Sequence, residues 1–364
     1  MSEAPRIGML TPHVGLCPAD GVEVFNQYLQ HALGNLEIFV DSLPEGHRHI
    51  DELDRVGLEL PYQALHAARV LARRHREEPF QLIICNGVHG WPPSLTRLGV
   101  PLVQVYHLTM AGLARNALPI RSDRLTTGRV TGFFDRLAGV GKHVVAVSHR
   151  VLREVESFYG LRGRVIPNGI DTTAFRPMGR ARARDTLGLP PDATIGLFVG
   201  RPDHTKGYDT FLRVARRMPE VQFLVAGGSG PAQGNVRPLG RIPHSDMPWW
   251  YSASDFFFLP SRYEGFGLST IEALSCDVPV VVSEAAFPFS GNRSECGIVV
   301  DGDREQDFVQ AIHQVVGDGD SFSPREFAVP RFSIKVFEDT WRAFIDSLLG
   351  VGDGSFQSTP EANS

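Results

Sequence analysis

The sequence predicts an α/β protein built as two doubly wound domains, and three observations carry that prediction. Short apolar runs alternate with helical segments along nearly the whole chain, the pattern of a mainly parallel sheet covered on both faces. The first strand of each half, Arg6 to Thr11 and Thr194 to Val199, runs into a glycine-bearing loop and then a helix. At 364 residues the chain is long enough for two cores, and its 42% hydrophobic content supplies the material for them.

In the first half, Arg6 to Thr11 leads into the loop PHVGLCPADGVEVF, rich in Pro and Gly, and a helix from about Glu23 to Leu33. Ile38 to Val40 gives a second strand. Pro61 to His75 has helical spacing and ends on basic residues, where the macrodipole favours them. Gln81 to Cys85 reads as a buried strand with Asn86 to Gly90 as its exit loop, and Val100 to Tyr106 as another, ending at His107-Leu108-Thr109. Val144 to Ser148 is a further strand, followed by a helix from Arg150 to Phe158. The run Val165-Ile166-Pro167-Asn168-Gly169-Ile170-Asp171 carries the chemistry of a chain reversal and sets a domain boundary near residue 170.

In the second half, a short helix from Arg180 to Gly188 precedes the strand Thr194 to Val199. Gly200, Arg201, Lys206 and Gly207 follow it, then an amphipathic helix from Tyr208 to Arg217 and a strand from Val221 to Ala226 that ends in Gly227-Gly228-Ser229-Gly230. His244 to Ala253 reads as a helix capped by Ser245 or Asp246, with Trp249, Trp250 and Tyr251 as packing residues. Ile298 to Val300 is a strand, Asp307 to Val316 a helix, and Phe332 to Leu349 a long amphipathic helix after Pro330. Residues from Gly350 onward lack apolar periodicity and read as disordered.

Composition narrows the function. A net charge of -5 and a pI near 6.2 argue against nucleic acid as the main partner. The start, MSEAPRIGML, lacks the charged and apolar regions of a secretory signal, and no apolar run approaches a membrane span, so the chain reads as cytoplasmic. Cys17, Cys85, Cys276 and Cys296 show no Cys-x-x-Cys spacing and read as reduced, buried, structural residues. Between Arg115 and Lys142 the basic residues Arg115, Arg121, Arg124, Arg129, Arg136 and Lys142 outnumber Asp123 and Asp135. A solvated helical face is the preferred reading; an attraction for an anionic acceptor or membrane surface is the alternative, but no long stripe with aromatic anchors supports the membrane version.

The most informative stretch is SDFFFLPSRYEGFGLSTIEALSCDVPVVVS, from Ser254. It reads as the strand Phe256 to Leu259, a loop holding Glu264-Gly265-Phe266-Gly267, a helix from Leu268 to Ser275, and a β-branched strand. A helix opening after a glycine-bearing loop offers unpaired N–H groups and partial positive charge, which places a phosphate just outside Gly267 and Leu268. A carboxylate there must find hydroxyls or cations, which makes a sugar the natural partner of Glu264. Glu272, about two turns further on, suits the ribose end of the same long ligand. Arg201 and Lys206 stand at the carboxyl end of a strand, able to neutralise a diphosphate, Arg as a fork and Lys as a point charge. A surface salt bridge for each is the alternative.

The pair Glu264 and Glu272 in EGFGLSTIEALSCDVPVVVS, with IPNGID and VGRPDHTKG upstream, resembles the retaining glycosyltransferases of family four, over most of residues 140 to 300. The resemblance implies the GT-B fold: two Rossmann-like domains facing a cleft, residues 1-170 on the acceptor side and 171-330 binding the nucleotide-sugar. A helix over 331-350 would return to the first domain, and 351-364 would be the disordered tail. It implies a UDP- or GDP-sugar as donor, with Gly200, Gly265, Phe266, Gly267 and Leu268 beside the charged residues, and backbone groups near Gly240, Arg241 and Ile242 at the base. The acceptor would be a small molecule, a glycan or a lipid-linked compound. By resemblance His107 contacts the transferred sugar; His13 and His89 are weaker candidates. The first loop of the family carries paired glycines, and here Asp20 stands before Gly21, suiting an acceptor contact or a helix cap. The stretch from Gln233 to Arg241 is shorter than the family's helix and strand.

No His or Cys cluster has ligand spacing, and Arg201 with Lys206 supplies the positive charge, so the expected chemistry uses no metal cofactor. The expected reaction is retaining transfer of a hexose-type sugar to an acceptor hydroxyl, with Glu264, His107, Arg201 and Lys206 as its catalytic residues. The double-displacement scheme of glycosidases suits it poorly, because a carboxylate beside a diphosphate is occupied with hydroxyls. A nucleotide-sugar isomerase or hydrolase of the same fold is the alternative, and a noncatalytic binding subunit the third reading.

Overall fold

The structure is a computed structural model that describes residues 5–12, 21–40, 57–229, 232–289, 294–318 and 321–351. It divides into two units: one drawn from Met1–Asn168 and Phe337–Glu361, the other from Gly169–Val336.

The first unit is a six-stranded parallel sheet in the order β2-β1-β3-β4-β5-β6. Its strands are β1 (Ile7–Thr11), β2 (Leu36–Val40), β3 (Leu82–Asn86), β4 (Leu102–Tyr106), β5 (His143–Ala146) and β6 (Gly163–Val165). Every residue of β1 and β3 is buried, as expected of central strands covered on both faces. Leu10, Ile83 and Phe80 pack with Ala67 and Leu71 of the helix Glu59–Glu77 to form one side of the core. On α-helix Gly21–Leu33, Phe25 meets Phe337 and Trp341 edge-on, at 5.6 and 5.7 Å between ring centroids. The last helix, Ile334–Leu349, is thus tied into this unit from Phe337 onward, and Arg342 adds a hydrogen bond to the Ala32 carbonyl.

The second unit is also a six-stranded parallel sheet, in the order β12-β11-β10-β7-β8-β9. Its strands are β7 (Thr194–Val199), β8 (Val221–Ala226), β9 (Val236–Gly240), β10 (Phe256–Leu259), β11 (Val280–Ser283) and β12 (Gly297–Val300). Phe198, Phe211, Phe223, Phe256, Phe258 and Phe308 fill its centre, all fully buried. The strand order reverses between β7 and β10, which is where a doubly wound sheet leaves a crevice for ligands outside its carboxyl ends.

Two sequence expectations need correction. The helix expected from Phe332 to Leu349 forms but begins at Ile334, where an extended Ser333 parts it from a preceding helix, Pro324–Phe332, that was not expected from the sequence. Ile170 causes the break: its N–H donates to the Phe332 carbonyl at 2.7 Å, and its carbonyl accepts the Ile334 N–H at 2.8 Å. Between Gln233 and Arg241 a strand does form, β9, parallel to β8 with a register shift at Val225/Ala226. The described residues between Gly227 and Asn235 hold no helix, so only that part of the expected shortening is seen.

Candidate functional site

The site is built where β7 and β10 end side by side. The helix Leu268–Ser275 forms as the sequence predicts, led by Gly267 at φ 78°, and no side chain caps its first turn. A Cβ at Gly267 would lie 2.4 Å from the Ala286 carbonyl oxygen, so only glycine fits. Gly207, at φ 66°, is tighter still: its Cβ would meet the Pro260 carbonyl oxygen at 1.9 Å. Backbone therefore touches backbone between the loop after β7 and the loop after β10.

Side chains lock these loops together. Lys206 Nζ donates to Glu264 Oε1 at 2.6 Å, and the Ser261 hydroxyl donates to the same oxygen at 2.7 Å. The Lys206 ammonium and Glu264 carboxylate are only 22% and 12% exposed, so each neutralises a charge that would be costly to bury alone. Asp203 organises the loop itself, accepting the Lys206 N–H on one oxygen and pairing with the Arg201 guanidinium at 3.2 Å on the other. Arg262 reaches back from the second loop: its N–H donates to the Thr205 carbonyl at 2.8 Å, and its guanidinium grips Asp209 through both nitrogens. That fork holds the Asp209 carboxyl well below the usual carboxylate range and raises Arg262.

Glu272, on the inner face of the helix, is buried. Its Oε1 is 2.8 Å from His244 Nε2 and its Oε2 accepts the Tyr251 hydroxyl at 2.7 Å. The Glu272 hydrogen bond raises the His244 pKa above its ordinary value, against the opposing effect of burial. Tyr251, expected as packing, is fully buried but also donates this hydrogen bond. His244 to Asp246 forms a short 3-10 turn ahead of the helix Met247–Ala253, and the expected Ser245 or Asp246 side-chain cap is not made.

In the first unit, His107 follows β4 and its ring lies edge-on to Phe25, 4.6 Å between centroids. Its Nε2 is buried without a hydrogen-bond partner, and burial pushes its pKa down to about 4. The next helix, Met110–Asn116, is fixed by Asp135, which accepts the Met110 N–H at 3.0 Å and the Tyr159 hydroxyl at 2.6 Å. Burial raises the Asp135 carboxyl to about 6. Gly21 opens the helix Gly21–Leu33, whereas Asp20, His13 and Cys17 lie outside the described residues. His89 is buried in the turn after β3, and Cys85, Cys276 and Cys296 are buried free thiols.

The structure thus brings Lys206, Glu264, Gly207, Gly267 and Leu268 into one place and puts Glu272 within the same helix. Arg201 stands apart from the Lys206–Glu264 pair, 79% exposed and partnered by Asp203. Arg241 is exposed and Ile242 half-buried just beyond β9. Of the basic run from Arg115, Lys142 is no surface charge: its ammonium donates to the Gly90 carbonyl at 2.8 Å and to Ser94 and Ala138, and burial lowers its pKa to about 8. Sequence reasoning missed Ser261, Arg262 and His244 as members of the site. Among the described residues no group of three or more His, Cys, Asp or Glu side chains is placed to hold a metal ion, and no helix is long and apolar enough to cross a membrane.

The family description Glycosyltransferase Family 4 matches residues 19–174, and Glycosyl transferases group 1 matches residues 193–318. A D-inositol 3-phosphate glycosyltransferase of Xylanimonas cellulosilytica is 30% identical over 83% of this chain and 86% of its own length. D-inositol 3-phosphate glycosyltransferase 2 of Catenulispora acidiphila is 32% identical over 62% of this chain, a match that spans 59% of the relative. Among solved structures, sucrose-phosphate synthase from Thermosynechococcus elongatus superposes with a TM-score of 0.80 at 21% identity, covering 96% of this chain and 100% of that one. Anabaena HepE, solved in complex with UDP-glucose, gives 0.71 at 18% identity over 94% of this chain and 100% of its own.

Proposed function

Because this chain belongs to glycosyltransferase family four, we propose that it moves a hexose-type sugar from a nucleoside-diphosphate donor to an acceptor hydroxyl, with retention at the anomeric carbon. The observation that carries this reading is the Lys206 ammonium held on Glu264 at 2.6 Å, four residues ahead of an uncapped helix, where β7 and β10 end side by side at the reversal of the strand order. Anion-binding groups and a carboxylate share that place. A ligand with phosphate at one end and hydroxyls at the other satisfies both.

In this reading the diphosphate takes the Lys206 ammonium and the open turn at Gly267 and Leu268, with the exposed Arg201 fork added. These groups stabilise the charge that develops on the leaving phosphate, usually the largest contribution in such a site. Glu264, released from Lys206, accepts sugar hydroxyls; Gly200, Gly265 and Phe266 line the same loops. Glu272 accepts the ribose hydroxyls, Arg241 and Ile242 stand at the base, and His107, uncharged at neutral pH, contacts the sugar through its unpartnered Nε2. A phosphate oxygen takes the acceptor proton on the face from which the diphosphate leaves. The positive charge comes from the protein rather than from a metal.

The relatives named D-inositol 3-phosphate glycosyltransferase put that phosphorylated polyol first among acceptors to offer. The test is a product assay with UDP-, GDP- and ADP-sugars and D-inositol 3-phosphate, read by the anomeric coupling in proton NMR, with and without a chelator. A product of retained configuration, formed equally well with chelator, is expected. Inverted product contradicts retention, and loss of turnover with chelator contradicts metal independence. Free sugar or an epimer released without acceptor supports the isomerase or hydrolase.

A further inference from the structure

We propose that His244 is a positioning residue for the nucleotide ribose: together with Tyr251 it holds the Glu272 carboxylate, and its proton sets the strength of ribose binding. The inference rests on the reading that Glu272 receives the ribose hydroxyls. Nothing in the sequence motifs singles out His244.

The geometry is a clamp made by three elements. The helix Leu268–Ser275 supplies Glu272, the helix Met247–Ala253 supplies Tyr251, and the turn just beyond β9 supplies His244. Each carboxylate oxygen receives one donor, Nε2 of His244 at 2.8 Å and the Tyr251 hydroxyl at 2.7 Å. A carboxylate has about four lone-pair sites, so two remain for the two hydroxyls of a ribose. The His244 ring is itself braced, 4.8 Å from the buried ring of Phe175. Neither donor can be lost without freeing the carboxylate to rotate.

The groups around the carboxylate give the clamp a pH dependence that is His244's alone. Tyr251 is buried and its hydroxyl stays protonated, since burial and the Glu272 charge both raise it. Cys276, just past the end of the helix, is likewise pushed up by burial and by Glu272. Phe175 carries no charge, and Arg241 and Asp246, which flank His244 in the chain, are exposed. His244 is the neighbour whose proton the Glu272 hydrogen bond holds more tightly than usual. With the proton present, the buried Glu272 charge is balanced and its position fixed by a charge-assisted hydrogen bond; the added positive charge also favours an anionic nucleotide. As pH rises through the raised pKa of His244, both effects fade.

The test is calorimetric titration of the protein and of His244→Gln with UDP, GDP and ADP and their 2′-deoxy counterparts, from pH 6 to 8.5. Gln keeps a donor for Glu272 without the charge. In the native protein the preference for ribose over 2′-deoxyribose should fall about fivefold across that range, the difference between a charge-assisted and a neutral hydrogen bond. In His244→Gln the preference should stay at its high-pH value throughout. Taking ribose over deoxyribose at each pH cancels the ionisation of the phosphates and any loss of fold, which a merely structural role would affect equally. His244→Ala should lose the preference at every pH. If His244→Gln keeps the native preference and its pH slope while Glu272→Gln loses the preference, His244 has no such role and the ribose reading stands. If the native protein shows no preference for ribose, or binds no nucleoside diphosphate, the ribose reading fails and this inference with it.

Discussion

His107 offers a prediction that can be worked from the structure. Burial lowers its pKa from 6.5 to about 4, so between those values the unfolded chain binds a proton that the folded protein does not. Folded stability from this residue is therefore complete above pH 6.5 and is lost as pH falls toward 4. At pH 5 the loss is about 2 kcal/mol, from 1.36 kcal/mol per pKa unit. His107→Gln removes the proton site. Relative to the native protein, the variant should gain about 2 kcal/mol between pH 7.5 and pH 5, measured by urea unfolding followed through tryptophan fluorescence. The direct assay is the ring-proton NMR shift of selectively labelled histidine. A His107 resonance that titrates near 6.5 would refute the buried, uncharged imidazole on which its proposed contact with the sugar depends.

Three further substitutions probe the scaffold. The Asp135 carboxyl, raised from 3.8 to about 6, makes the opposite contribution: its cost is absent below pH 3.8 and builds to about 3 kcal/mol above pH 6, so stability falls as pH rises through that window. Asp135→Asn should therefore stabilise the protein at pH 7 and not at pH 4, and a variant weaker at both would contradict the assignment. Because His107 and Asp135 act in opposite directions, their contributions offset one another between pH 4 and 6, and each replacement should expose the other's slope. Gly207→Ala meets the Pro260 carbonyl at 1.9 Å at a left-handed φ, whereas Gly34→Ala has the same backbone strain and nothing within 4 Å. The first should cost roughly 3 kcal/mol and weaken nucleotide binding, the second about 1 kcal/mol with binding unchanged; similar melting temperatures for the two would contradict the close contact of the loops.

What the sequence reveals follows from how local each interaction is. Gly267, Glu264 and the helix Leu268–Ser275 belong to one continuous stretch, where turn chemistry and periodicity act on neighbouring residues, and the helix forms with the bounds expected of it. Lys206 was legible for a different reason, as a cation at the end of an apolar strand. His244, Tyr251 and Ser261 reach their carboxylates through side-chain hydrogen bonds that exist only once separate elements are packed, so neither period nor motif marks them. The break at Ser333 has the same origin, since its cause is the backbone of Ile170, distant in the chain. Lys142 shows the limit of charge counting: a basic residue in a basic run, it serves as an internal donor to three backbone and hydroxyl oxygens.

The central contact of the proposed mechanism is a diphosphate gripped by Lys206 and the first turn of the helix Leu268–Ser275. The most direct measurement is the affinity of the native protein and of Lys206→Ala for a nucleoside diphosphate and for the matching nucleoside monophosphate, by calorimetry. A hydrogen bond to a charged group contributes about 1.5 to 3 kcal/mol, so the diphosphate should bind about ten- to a hundredfold more weakly to the variant while the monophosphate is little changed. Equal loss for both ligands, or loss for neither, would contradict the grip.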